Sequence, residues 1–384
     1  MTFFDDNDGT PGHPDSPTPP SQMEPAAPVP AEPLIGDPIS YGALHPQPPA
    51  PPASILPPDL QISWSWVHLL CFLFFGIVSL VIVQGVFALI FLPHVRPMPP
   101  QKELEQYILS KPGFVIGSMV LWYALLFFFL YITLTVLQGG KFWHSLGWRK
   151  LNPQNTSAPT KPWIYFLFGC SLSLLVLIVT ATMKTPEHLP IQDIFKYRNT
   201  AIAFLCMAVF IAPLVEETIF RGYLYPVLVR IVSAVVRFIA TDSVRASRVS
   251  VLASTIITAT IFGVFHKGRL ALTWGVFSLL ILFGIIVVVI RIIGKDSART
   301  ARAGIFSSII LTGFLFGLMH GIQLGWSFRL VFTLVAVGII FTIARARSGT
   351  VFASFLLHLG YNSTIAVITL LGLLLAKHVK FPQN

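Results

Sequence analysis

Apolar runs of about 20 residues, each long enough to cross a hydrocarbon core, recur along this chain from Ile62 onward. They fall near 62–92, 114–138, 163–183, 200–220, 249–266, 270–292, 304–321, 328–344 and 351–376. Inside a bilayer every backbone polar group must be satisfied within its own segment, which selects helices for such runs. Composition agrees: of 384 residues 54% are hydrophobic and 11% charged, where a soluble domain carries about 25% charged residues. The expected fold is an all-α, polytopic integral membrane bundle of about eight or nine transmembrane helices.

A net charge of +10 raises the question of nucleic acid, but the basic residues sit in short groups between apolar runs, with no Lys/Arg-rich face or arm. No nucleic-acid partner is expected. The linker 141–161 holds Lys141, Arg149, Lys150 and Lys161 without an acidic residue, so the bias of Lys and Arg toward the cytoplasm places it inside. The N-terminus then lies inside too, as do the groups at Arg230 to Arg248, Arg291 to Arg302, and Arg345 with Arg347. A multi-pass protein of a bacterial-type cell membrane is expected. Residues 1–60 hold seventeen of the thirty prolines and no Lys or Arg, a composition of extended, disordered chain rather than of a packed core. Three units follow: a proline-rich tail at 1–60, N-terminal membrane helices at 61–199, and a core at 200–376. The acidic N-terminal residues Asp5, Asp6 and Asp8 do not read as a signal peptide. Cys71, Cys170 and Cys206 lie in apolar runs without CxxC spacing and read as small buried hydrophobes.

A few residues in these runs are expensive to bury, and such residues usually face a protein interior or watery cavity. The run Val215-Glu216-Glu217-Thr218-Ile219-Phe220-Arg221-Gly222 ends the 200–220 segment. Glu217 and Arg221 are spaced i,i+4 and can pair, whereas Glu216 points about 100° away and stays free. A carboxylate without a counter-ion in a low-dielectric site suits a general base that takes a proton from water; a plain salt bridge at a cytoplasmic helix end is the alternative. Two histidine segments follow, Phe316-Gly317-Leu318-Met319-His320-Gly321 and His358-Leu359-Gly360-Tyr361-Asn362. His358 and Asn362 share a helix face and can address one ligand, metal or oxyanion; as packing residues they would simply hydrogen-bond between helices. Phe262-Gly263-Val264-Phe265-His266 nearly copies the segment at His320. His320 is preferred because a single apolar run separates it from His358. Run boundaries put Glu216 near the cytoplasmic face and His320 near the opposite one, a conflict that Pro213, as a helix kink, could resolve.

In order along the chain, Glu216-Glu217-x-x-x-Arg221, Phe316-x-x-x-His320 and His358-x-x-x-Asn362 resemble the three motifs of the CPBP intramembrane proteases, the group of type II CAAX prenyl endopeptidases and Abi proteins. Ser348-Gly349-Thr350, leading into Ala353-Ser354-Phe355-Leu356-Leu357-His358, extends the likeness. The resemblance spans roughly 200–376, with an unusually long interval between Arg221 and His320. It implies hydrolysis of a peptide bond in a membrane-anchored peptide or protein, prenylated or not, with Glu216 activating water and Glu217 and Arg221 holding the helix or the second carboxylate in place. His320, His358 and Asn362 would either serve a divalent metal, zinc by its liking for imidazole and carboxylate and with His320 and His358 as ligands, or donate hydrogen bonds to the tetrahedral oxyanion. Two rival classes remain: a transporter in which the same residues relay protons or cations, and a catalytically silent immunity or partner-binding protein.

Overall fold

The computed structural model describes residues 56–92, 100–155, 157–184, 186, 188–241 and 297–376. All regular elements among them are helical: α1 (Trp66–Phe91), α2 (Gln101–Leu109), α3 (Pro112–Tyr131), α4 (Phe142–Ser145), α5 (Pro162–Ala181), α6 (Arg198–Glu217), α7 (Tyr225–Thr241), α8 (Ser297–Met319), α9 (Phe328–Ser348) and α10 (Val351–Ala376). Seven helical stretches among the described residues are long and apolar enough to cross a membrane. They coincide with seven of the nine apolar runs. The other two, 249–266 and 270–292, and with them His266, lie outside the described residues.

The fourth span corrects the sequence reading. It does not stop near Phe220 but runs from Arg198 to Phe238, 41 residues, or about 60 Å at the α-helical rise. A π-helical segment, Thr218–Leu224, joins α6 to α7 without a break. In the sequence an apolar stretch closes where charge appears, at Glu216 and Glu217. Here the charge is internal: Glu217 and Arg221 are both fully buried and paired to each other, so the helix continues through them. The Glu pair therefore sits near mid-helix, not at a helix end, which removes the conflict with His320.

Local sequence explains several boundaries. Pro112 and Pro162 open α3 and α5, where a missing backbone N–H costs nothing. α9 ends at Gly349, whose φ of +72° supplies the left-handed cap and lets the chain reverse directly into α10. Within that reversal Ser348 Oγ donates to the Thr350 carbonyl at 3.1 Å. The Ser-Gly-Thr signature is thus the turn that sets α10 antiparallel to α9.

Two aromatic-rich cores organise the bundle. One gathers Phe72, Leu130, Leu146, Trp148, Tyr223 and Val351 from α1, α3, the 141–161 linker, the π segment and the start of α10. The second gathers Tyr165, Phe220, Phe316, Phe341, Leu357 and Tyr361 from α5, the π segment, α8, α9 and α10. The π segment contributes to both cores, with Phe220 in one and Tyr223 in the other. α5 lies along α10 at near backbone distance: a Cβ on Gly169 would collide with the Leu357 carbonyl, and one on Gly360 with the Phe166 carbonyl. Only glycine permits that approach.

Candidate active site

Glu217 and Arg221 form the buried centre of the site. Arg221 Nη1 donates to Glu217 Oε1 at 2.8 Å, Nη2 to the Gly338 carbonyl at 2.9 Å, and Nε to Thr342 Oγ1 at 3.3 Å, the last two on α9. Its guanidinium lies 4.5 Å from the Phe316 ring centroid and 5.4 Å from that of Phe341, two cation–π contacts. The i,i+4 pairing expected from sequence is present, and the structure adds the partners on α9 that make a buried guanidinium tolerable. Each of its three guanidinium nitrogens is thus engaged within the protein.

His358 joins this centre from α10. Its Nδ1 lies 2.9 Å from Glu217 Oε1, and because a carboxylate only accepts, Nδ1 carries the proton. The other ring nitrogen, Nε2, faces Glu216 Oε2 at 4.0 Å. The Glu216 side chain keeps 20% exposure while that of Glu217 has none. The two adjacent carboxylates are thereby differentiated by their surroundings: one is committed to Arg221 and His358, the other is open.

His320 follows the last turn of α8 and donates from Nδ1 to the Phe316 carbonyl at 2.9 Å. That bond fixes the neutral tautomer with an acceptor lone pair on Nε2. His320 meets the rest of the site through Phe316, whose ring centroid is 4.9 Å from that of His320 and 5.8 Å from that of His358. Phe341 stacks obliquely on His358 at 4.7 Å. Asn362, one turn beyond His358, donates from Nδ2 to the Ala208 carbonyl of α6 at 2.7 Å, which leaves its second amide N–H uncommitted.

All six residues singled out in sequence thus lie on α6, the π segment, the end of α8 and α10. Glu216, Glu217, Arg221 and His358 are in direct succession, His320 joins across Phe316, and Asn362 ties α10 to α6 two turns before the glutamates. Phe316, Phe341, Gly338 and Thr342 had no role assigned from sequence. Phe316 could have been found from its i,i+4 spacing to His320; a helix-interior glycine and threonine carry no such signal.

The donor set does not form a metal centre as it stands. Among the described residues no three His, Cys, Asp or Glu side chains are gathered closely enough to hold one ion, and the His358 nitrogen nearest Glu217 is already engaged with it. Four-coordinate zinc needs at least three such protein ligands.

The Rce1-like type II CAAX prenyl endopeptidase family model matches the chain over residues 198–297 and 297–364. No curated protein and no solved structure matches it. The segment 198–364 contains Glu216, Glu217, Arg221, His320, His358 and Asn362, so the family that the three motifs resemble is the family whose model the chain matches, that of the Rce1-like type II CAAX prenyl endopeptidases.

Proposed function

We propose that this protein is an intramembrane endopeptidase of the CAAX type, hydrolysing a peptide bond of a membrane-associated protein or peptide with water activated by Glu216. One observation carries the reading: the 4.0 Å separation of Glu216 Oε2 from His358 Nε2. That gap is too long for a direct hydrogen bond, yet a water at about 2.8 Å from both atoms subtends an angle of about 90°, which suits a bridging nucleophile.

The remaining roles follow from which atoms are free. Glu216 takes a proton from water as the oxygen attacks the scissile carbonyl carbon. His358 Nε2 accepts the second water hydrogen, and His320, which exposes an acceptor at Nε2, is left to receive an N–H of the substrate. Asn362 has a spare amide N–H, a donor for the oxyanion of the tetrahedral intermediate, while His358 Nε2 holds the water beside Glu216. Collapse of that intermediate breaks the C–N bond, and the proton held by Glu216 passes to the leaving amine. Glu217 and Arg221 hold His358 and take no proton. No step runs through a metal, since the donors among the described residues do not gather into a metal site.

The 141–161 linker and the Arg345–Arg347 end of α9 meet at one end of the bundle, where Asn155 Nδ2 donates to the Arg347 carbonyl at 2.9 Å. The positive-inside bias assigns that end to the cytoplasm. A proton-relay transporter would use the same groups, but the locking of Glu217 by Arg221 removes one carboxylate from any relay.

The test is cleavage of fluorogenic membrane-anchored peptides, with and without a C-terminal prenyl group, by purified protein in detergent. Cleavage by wild type that Glu216→Gln abolishes supports the reading, and a preference within the panel defines the substrate. Cleavage that survives Glu216→Gln refutes the assignment of the base.

A further inference from the structure

The 141–161 linker precedes the family-matched segment, yet it bonds both helices that carry the site. Trp148 is buried, 8% exposed, and its indole Nε1–H donates to Thr218 Oγ1 at 3.1 Å. Thr218 is the residue after Glu217 and the first of the π segment. Its hydroxyl in turn donates to the Leu214 carbonyl at 2.6 Å, so both its hydrogen-bonding capacities are used across the glutamate pair. The same indole packs obliquely on Phe355, ring centroids 5.4 Å apart, and Phe355 lies one turn before His358 on α10.

The flanking residues repeat this two-sided attachment. Leu146 is fully buried with its carbonyl set against Gly222 of the π segment, where an added Cβ would lie 2.6 Å from that oxygen. On the α10 side Val351 N donates to the Gly147 carbonyl at 2.9 Å. Arg149 N donates to Thr350 Oγ1 at 3.1 Å, and that hydroxyl returns a bond to the Arg149 carbonyl at 2.7 Å. Gly147 makes the sharp turn between these contacts at φ +78°. Residues 146–149 therefore bridge the π segment and the start of α10, and Glu217, the residue immediately before the π segment, meets His358 of α10 at 2.9 Å.

We infer that Trp148 is a positioning residue of the candidate active site: through Thr218 and Phe355 it fixes the separation of the Glu216–Glu217 pair from His358. The inference rests on the endopeptidase reading above. A π segment is the place where such a device is needed, because its hydrogen-bond register is less stable than that of an α-helix and is commonly kept for function. The indole N–H holding Thr218 opposes relaxation of that register, which would rotate Glu216 and Glu217 relative to α10.

The experiment compares Trp148→Phe, which keeps a ring against Phe355 and deletes the donor, with Thr218→Val, Thr218→Ser and the Trp148→Phe/Thr218→Val double variant. Misplacement of reacting groups through a remote change costs up to about 100-fold in rate. Accordingly, kcat is expected to fall roughly 10- to 100-fold in Trp148→Phe and in Thr218→Val, with KM within about twofold. Thr218→Ser retains wild-type kcat, and the double variant is no worse than the worse single, because one bond is lost in both. Unchanged kcat per folded molecule, or losses that multiply in the double variant, would overturn the inference. Glu216→Gln, run alongside, separates failure of this inference from failure of the endopeptidase reading. Carbethoxylation of His358 by diethyl pyrocarbonate, followed by mass spectrometry, gives a readout that needs no substrate. Faster modification in Trp148→Phe with a wild-type rate in Thr218→Ser supports positioning, and equal rates in all variants contradict it.

Discussion

Replacing Arg221 by Met should be among the most destabilising single changes in this protein, and the reason is the carboxylate it leaves behind. Arg221 loses a bond to the Gly338 carbonyl, a long bond to Thr342 and its contact with Phe316. Interhelical hydrogen bonds in membranes average about 0.6 kcal/mol each, and a desolvated cation–π contact adds up to about 2 kcal/mol. Removing one member of a buried ion pair costs about 3–5 kcal/mol by itself, because Glu217, with no exposed side-chain surface, is left buried without its cation. The charge term therefore dominates. That term alone should lower the folded-to-unfolded ratio by about a hundred- to several thousand-fold, at roughly 1.4 kcal/mol per tenfold, and the lost bonds add to it. The companion variant Arg221→Met/Glu217→Gln removes the orphaned charge while keeping an acceptor for His358 Nδ1–H, and should recover more than half of the loss. The assay is SDS-induced unfolding from dodecylmaltoside micelles, followed by tryptophan fluorescence. A single-variant cost below about 1 kcal/mol, or a double variant as unstable as the single, would refute the argument that an unpaired Glu217 charge sets the penalty.

Other outcomes are as specific. Glu216→Gln, His320→Ala and His358→Ala should abolish cleavage with the protein still inserted, whereas His266→Ala should be tolerated; equal loss with His266→Ala would reassign the motif histidine. Treatment with 1,10-phenanthroline should leave cleavage within about twofold of control, since among the described residues no three ligands gather; loss restored by added zinc would contradict that. Gly169→Ala or Gly360→Ala should cost about 1–3 kcal/mol, because each Cβ meets a backbone carbonyl that cannot step aside; an unchanged SDS midpoint would show that α5 and α10 can separate freely. The His144 imidazole, in the linker, is held below its usual range by burial and then by Arg149 and Lys141. Its neutral form is favoured on folding, so its contribution is complete above the unfolded value of about 6.5 and is lost as pH falls below it. His144→Gln should make the unfolding midpoint slightly less sensitive between pH 7.5 and 5.5, and an identical slope would remove His144 as a cause.

The sequence disclosed the pieces that depend on local spacing. Seven apolar runs became seven spans because a bilayer-length hydrophobic segment has few alternatives to a helix. The Glu217–Arg221 pair was visible because i,i+4 residues adjoin on any helix, and Glu216 was left over by the same geometry. The order of the three motifs was enough to resemble the family whose model the chain matches.

What spacing cannot carry is the partner supplied by another helix. The end of the fourth span was misplaced because charge in a sequence reads as exposure, whereas Gly338 and Thr342 of α9, with the faces of Phe316 and Phe341, make a guanidinium at home in the interior. Nothing local foretold that Asn362 would spend an N–H on Ala208, or that Trp148 would reach across seventy positions to Thr218. Apolar length and helical spacing are properties of one segment and are written into it. The 4.0 Å between Glu216 and His358 belongs to two segments far apart in the chain, and only the packing of the whole bundle determines it.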